Sequence, residues 1–305
     1  MPSSSAPTIL CAGIAVQDII FRVDAFPPPG GKCMTHEFRT VLGGCAVNAA
    51  VAVARLGGRA RYAGPLGDTN DNVSNQLLAE MAQENIDTSG VVRVAGATAP
   101  VSGIMVDAAG ERMIVTHRDR RIEAARSPDV EALLEGVTLL LADNRFPDFV
   151  RPICDAARRR GIPVVLDADR PTAEDDRLFA IPTHVIFSSE CLRGTTGLDD
   201  LSEGLRRIGS RVPAFLAVSN GPDPVRYLEG GAVKTLPVFA IDAVDTLAAG
   251  DVFHAGIALA LAEGHDPVAA MRFGSAAAAL KCTRFGGSMG APHRAEVDAF
   301  LAKHG

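Results

Sequence analysis

From about Asp129 onward the chain alternates short apolar runs with helical stretches at a regular rhythm. Val137 to Ala142 reads as a strand, Pro147 to Arg160 as a helix, and Pro163 to Asp167 as a strand. Thr183 to Phe187 and Ala214 to Val218 add two more strands, and Thr8 to Val16 supplies a buried first one. Strands that are apolar along their whole length belong in a sheet covered on both faces, and alternation with helices makes such a sheet parallel. The expected fold class is therefore α/β, a doubly wound parallel sheet flanked by helices. The 305 residues suffice for one large unit of this kind, taken as a single domain over 1–305. Ligands of such sheets lie beyond the carboxyl ends of the strands. Three of those ends carry polar residues: Asp143 to Arg145, Asp167 to Arg170, and Ser219 to Gly221.

Four shorter runs fall outside that rhythm. Ile19 to Val23 and Met34 to Val41 flank the turn FPPPGGK, and Val101 to Asp107 and Glu111 to His117 flank Ala108 to Gly110, a hairpin signal. Together they read as a second, smaller sheet built from about 18–41 and 99–118, projecting as a lid that would exclude water. Arg59 to Gly64 reads as a strand, Thr69 to Glu84 as a helix, and Ile86 to Val91 as a connector.

Composition removes several classes. The net charge is -6, which argues against a broad nucleic-acid footprint. Six scattered cysteines without a C-x-x-C pair argue against a metal cluster or disulfide framework and for a reducing cytoplasm. No apolar run is long enough for a bilayer, and MPSSSAPTIL is not expected to be a signal peptide.

The chemistry concentrates in DTLAAGDVFHAG, Asp245 to Gly256. Ala248, Ala249 and Gly250 form a loop of small residues that meets Asp251 and then an apolar helix. A helix start leaves backbone N–H groups without partners, and its dipole adds positive charge there. Without bulky side chains a phosphate can approach those amides. A lone acid at a helix start is most often a cap. Beside an anion hole it suits phosphoryl transfer to an alcohol, with Asp251 taking the hydroxyl proton. Earlier, Gly43 and Gly44 lead into a helix with Val47, Val51, Ala54 and Leu56 on its buried side. Asn48 lies early in that helix, either as a satisfied buried amide or as a donor and acceptor for a diol. Asp18 stands where the main sheet hands over to the projection, and by pattern alone it is a turn residue.

DTLAAGD resembles the second signature of the ribokinase-like (PfkB) carbohydrate kinases, usually DTxGAGD, with Ala248 in place of a Gly. LGGCAVNAAVAVARLGG resembles their first signature, GGxxxNxAxxxxxLG, and the likeness covers nearly the whole chain. It implies a ribokinase-like fold and transfer of the γ-phosphoryl of ATP to a primary hydroxyl of a small sugar. It further implies that Asp251 is the base, that Ala248, Ala249 and Gly250 form the anion hole, and that Asp18, Gly43, Gly44 and Asn48 hold the sugar. Ser219, Gly221, Gly250 and Ser275 would contact ATP. Glu190 would order water around Mg²⁺, although Ser189 stands where Asn is usual. Backbone carbonyls of Asp245, Leu247 and Gly286 could hold a monovalent cation, K⁺ in ribokinase-like fashion.

LADNRFPD, VLDADRP and AALKCTRFGG look most like bacterial ketohexose kinases, particularly sulfofructose kinases. In that group Lys32 and Arg145 would face an anionic end of the sugar; an ordinary ion-paired arginine is the other reading of Arg145. Asn48 and Thr116 depart from the sulfofructose pattern, so fructose, ribose or a sugar acid stays open. A nucleoside kinase and a non-catalytic sugar-binding homologue are the competing readings. Exposed edges of the lid sheet would also allow a homodimer.

Overall fold

The computed structural model describes residues 6–35, 37–127 and 129–304. The first five residues of the N-terminal stretch lie outside them. Strand β1 (Thr8–Ala12) opens a large sheet, and its residues alternate between two cores: Ile9 and Cys11 face one side, Leu10 and Ala12 the other. That alternation is the period-two geometry of a strand buried on both faces. Strands β2 (Val16–Arg22) and β3 (Glu37–Gly43) then leave for a smaller sheet. Helix α1 (Cys45–Arg55) returns to the large sheet, and β4 (Arg59–Leu66), α2 (Asn72–Gln83) and β5 (Asp87–Arg93) complete one wing of it. The stretch that reads as a connector is an edge strand, β5, paired in parallel with β4.

Strands β6 (Val101–Val106) and β7 (Arg112–His117) form the expected hairpin, and the small sheet runs β3-β2-β6-β7. Its inner face joins Ile20, Val41, Ile104 and Val106 to Leu247, just ahead of the small-residue loop. The other wing follows as α3 (Val130–Leu133), β8 (Leu139–Asp143), α4 (Pro147–Arg159), β9 (Val164–Ala168), α5 (Arg177–Ala180), β10 (His184–Ser188), α6 (Ser189–Thr196), α7 (Leu201–Gly209) and β11 (Phe215–Asn220).

Two further strands, β12 (Asp223–Glu229) and β13 (Ala232–Leu236), pair antiparallel, so the nine-stranded sheet is mixed, ordered β13-β12-β11-β10-β9-β8-β1-β4-β5. Their turn at Gly230–Gly231, both at positive φ, is an ordinary hairpin signal that the strand–helix rhythm conceals. The chain closes with α8 (Ala249–Ala262), α9 (Pro267–Cys282) and α10 (Arg294–Lys303).

Helix α1 differs from a one-sided amphipathic helix. Ala46 through Val53 are all buried, because the sheet, α8 and β3 enclose it. Each large apolar side chain removed from water in this way contributes roughly 1.5–3 kcal/mol. Helices α8 and α9 touch backbone to backbone: a Cβ on Gly256 would stand 2.6 Å from Gly274 Cα. This pins α8, and with it the loop before Asp251. No helix among the described residues is long and apolar enough to cross a membrane.

Candidate active site

After β1 the chain moves outward to β4 and β5, whereas β8 to β13 extend on the opposite side of β1. The crevice at such a switch point is where open α/β sheets bind ligands. The carboxyl ends of β1, β8 and β9 place Gly13, Asp143 and Asp167 there, and α8 delivers Asp251 to the same spot. Carboxylate oxygens of Asp167 and Asp251 and the Cys45 sulfur all lie within 4.8 Å of one another.

Helix α8 begins at Ala249, so Asp251 sits inside the first turn rather than ahead of the helix. Ala248 caps it at φ 62°, a left-handed conformation unusual for a residue with a side chain. The Ala249 amide donates to Thr246 O at 3.2 Å. The amides of Gly250 and Asp251 have no acceptor among the described residues. A Cβ on Gly250 would meet nothing within 4 Å, so no other part of the chain packs against that residue. The small residues expected to form an anion hollow, Ala248, Ala249 and Gly250, thus sit at the start of α8 with the Asp251 carboxylate in its first turn.

Asn48 Nδ2 donates to Asp251 Oδ2 at 2.7 Å. A hydrogen bond to a charged group of this kind contributes about 1.5–3 kcal/mol. Asn48 Oδ1 is buried and has no hydrogen-bond partner among the described residues. Burial raises the Asp251 pKa to about 6, the Asp167 charge adds to that rise, and the Asn48 bond opposes it. Burial likewise lifts Asp167 to about 7, with Asp143 contributing.

Asp18 is also buried. Its pKa rises to about 7 through burial, a hydrogen bond with Ser102 opposes the rise, and the charge of Asp251 adds to it. Its carboxylate lies over Gly43: a Cβ there would stand 2.1 Å from Asp18 Oδ2. Gly44 adopts φ 89° and starts α1 with its face against Ile14 O. The glycine pair therefore lets the acid and the helix start come together.

Three residues of the cluster carry no signature of their own in the sequence. Cys45 opens α1, and burial holds its thiol well above the ordinary range. It is a thiol and not a thiolate, so Cys45, Asp167 and Asp251 make a poor cage for a hard cation. His254 lies one turn after Asp251, with Nδ1 3.4 Å from Asp167 Oδ2 and neither ring nitrogen hydrogen-bonded. Burial lowers its pKa to about 4, so it is neutral near pH 7. Asp167 ends an apolar strand, the one hint the sequence offered.

Of the remaining expected residues, Arg145 reaches this cluster, its charge acting on Cys45, Asp143 and Asp167. Arg145 is ion-paired with Asp169, whose carboxylate also receives a long 3.9 Å contact from Cys45 Sγ. Lys32 is exposed between β2 and β3 and bonds none of these side chains. Asp169 compensates the Arg145 charge, and Arg145 Nε has no hydrogen-bond partner among the described residues. Ser219 is half-buried at the end of β11, with a 3.5 Å contact to Phe187 O, and Gly221 turns the chain at φ 56°. Glu190 is exposed in the first turn of α6 and has no hydrogen bond or ion pair among the described residues. Ser275 is buried within α9, its hydroxyl without a partner.

The carbonyls expected to hold a monovalent cation are largely engaged. Asp245 O accepts from Lys281 Nζ at 2.6 Å, and Gly286 O accepts from the Met289 amide at 3.2 Å. The first of these donors is the buried Lys281 ammonium, which also lies 3.3 Å from Asp245 Oδ2.

A family model described as pfkB family carbohydrate kinase matches residues 6–294. Ribokinase of Bacillus subtilis (strain 168) is 30% identical over 301 residues, which cover 96% of this chain and 99% of that protein. A solved structure from Agrobacterium tumefaciens is 37% identical, with TM-score 0.94 and 98% of each chain covered. The structure of fructokinase with bound ATP from Xylella fastidiosa is 27% identical, with TM-score 0.78, covering 97% of this chain and 98% of that one.

Proposed function

This chain belongs to the pfkB family of carbohydrate kinases, and we propose that it transfers the γ-phosphoryl of ATP to a primary hydroxyl of a small neutral sugar, a pentose or a ketohexose. The observation that supports this most is the Asp251 carboxylate in the first turn of α8, beside the small-residue loop and held by Asn48 at 2.7 Å. A hydroxyl placed beside Asp251 gives its proton to the free carboxylate oxygen. The hydroxyl oxygen then forms a bond to the γ-phosphorus as the bond from that phosphorus to the β-phosphate bridge breaks, releasing ADP. The Gly250 and Asp251 amides, with Ala248 and Ala249 shaping the hollow, face the charge on the transferred group. A base with a pKa of about 6 is mostly ionised near neutral pH and still basic enough to hold a proton.

We assign the sugar hydroxyls to Asn48, Asp18 and the backbone at Gly43 and Gly44. Asp18, Asp143, Asp167, Asp169 and Asp251 surround this region, and Asp169 already pairs the Arg145 cation. We favour ribose or fructose over a sulfonated or acidic sugar, in keeping with the names of the relatives. On the nucleotide side we assign Ser219, Gly221 and Ser275 to ATP. Glu190 has both carboxylate oxygens unengaged, which fits water-mediated contact with the Mg²⁺ that neutralises charge on the phosphates.

We further propose that residues 1–305 act as one unit, with the small sheet as the lid, in a cytoplasm that keeps the six free thiols reduced. The outer face of the lid exposes Phe38 (64%) and Val115 (72%), which supports a homodimer through that sheet.

ADP release from ATP with ribose, fructose, sulfofructose and a nucleoside tests the reading. Turnover of a neutral sugar is the expected result. Turnover of nucleosides alone would favour a nucleoside kinase, and sugar binding without ADP release a non-catalytic homologue. Against the nucleoside reading, the lid aromatics Phe21 and Phe38 stack on each other, with ring centroids 6.2 Å apart.

A further inference from the structure

Lys281 lies in the last turn of α9 with its side chain fully buried, 0% exposed. An ammonium is rarely taken out of water without close partners. Nζ donates to the main-chain carbonyl of Asp245 at 2.6 Å and lies 3.3 Å from Asp245 Oδ2. Asp245 is equally buried. Its carboxylate also accepts from the amides of Leu247 at 2.8 Å, Gly286 at 2.9 Å and Gly287 at 3.0 Å. Burial works against the Asp245 charge, but Lys281 and these three amides outweigh it and hold its pKa below the ordinary value. Lys281 and Asp245 thereby join the end of α9, the turn at Gly286–Gly287 and the start of the loop that leads to Asp251.

That loop must keep Ala248 in a left-handed conformation while presenting the amides of Gly250 and Asp251. Anchoring its first residue is one way to hold it there. A monovalent ion at the same carbonyls would share Asp245 O with an ammonium and stand beside a like charge. The residues present do not fit such an ion.

We infer that the Lys281 ammonium stands in for a free monovalent cation behind the anion hollow, so that the kinase works without K⁺. A lysine ammonium carries the same single charge and donates to the same carbonyl oxygen. Its tether removes the cost of capturing an ion from solution. Lys281 is therefore a positioning residue: it touches neither substrate and acts through the Asp245 loop. The turnover arm of the test rests on the kinase reading, and the melting arm does not.

Turnover and melting temperature are measured for the full chain in KCl and in choline chloride at matched ionic strength. The wild type is expected to give the same values in both salts. Lys281→Ala is expected to lose about tenfold or more in turnover in choline chloride. K⁺ or methylammonium should restore much of that turnover and raise the melting temperature of the variant. If Lys281→Ala does not fold, Lys281→Ser is the second variant, carrying a hydroxyl that can share in holding an added ion. Saturable activation or thermal stabilisation of the wild type by K⁺ over choline overturns the inference, whether or not either variant folds. So does a folded Lys281→Ala with full turnover in choline chloride, or one whose loss no added cation restores.

Discussion

The wall that carries Asp18, Gly43, Asn48 and Asp251 is built differently from the wall that carries Ser219, Gly221 and Glu190. On the first, the side chains are buried and meet at close range: Asn48 holds Asp251 at 2.7 Å, and Asp18 fills the space a Gly43 side chain would take. On the second, Ser219 makes one 3.5 Å contact, nothing lies within 4 Å of a Cβ on Gly221, and Glu190 is exposed. The first wall is set before any ligand arrives, which suits discrimination among sugar hydroxyls and proton transfer at a fixed distance. The second offers mainly backbone and solvent-facing groups, which suits a nucleotide held by its phosphates.

Substitutions on the first wall should therefore cost more, and should affect the chemical step and the sugar. Asp251→Asn keeps the shape and removes the carboxylate. Steady-state assays should show turnover lowered roughly 100-fold to 10,000-fold, while calorimetry still detects sugar binding. Gly43→Ala forces Asp18 aside, and a displacement of this size in a positioning residue should cost about tenfold to 100-fold in kcat/KM for the sugar. The ATP KM should change little.

Asp18→Asn sharpens the comparison through pH. The folded protein holds the Asp18 proton up to about pH 7, whereas an unfolded aspartate releases it near its ordinary value of 3.8. The stabilisation from that proton is complete below the unfolded pKa and is lost as pH rises through about 7. Asp18→Asn escapes the loss, so its melting temperature should rise relative to wild type between acid and mildly alkaline pH. A constant difference across that range would break the assignment. The smallest effect belongs to the second wall. Gly221→Ala places a side chain at φ 56°, a cost of about 1–2 kcal/mol, and should raise the ATP KM severalfold with the sugar KM unchanged.

The same contrast governs what could be read from the sequence. Strand positions, the hairpins of the small sheet and the α1 and α8 stretches were legible because periodicity and glycine pairs are local signals. Asp251, Gly43 and Asn48 stood in spaced patterns, so they could be found, but the bond between Asn48 and Asp251 joins residues far apart in the chain and could not. Cys45 and His254 lack a local signal altogether; only folding brings them to Asp167 and Asp251. Lys281 was visible as one cation in the Ala-rich stretch AAAALKC, yet its partner Asp245 is fixed by tertiary packing. The β12–β13 hairpin had a local Gly-Gly signal that the parallel rhythm obscured.

The most direct test of Asp251 as the proton acceptor is the pH profile of kcat/KM for a sugar that the enzyme turns over. The account predicts a rise of about tenfold per pH unit below about pH 6, levelling above it. That limb should persist in Asp18→Asn and vanish in Asp251→Asn. A wild-type profile that stays flat across this region, or an Asp251→Asn enzyme that keeps the limb, would contradict it.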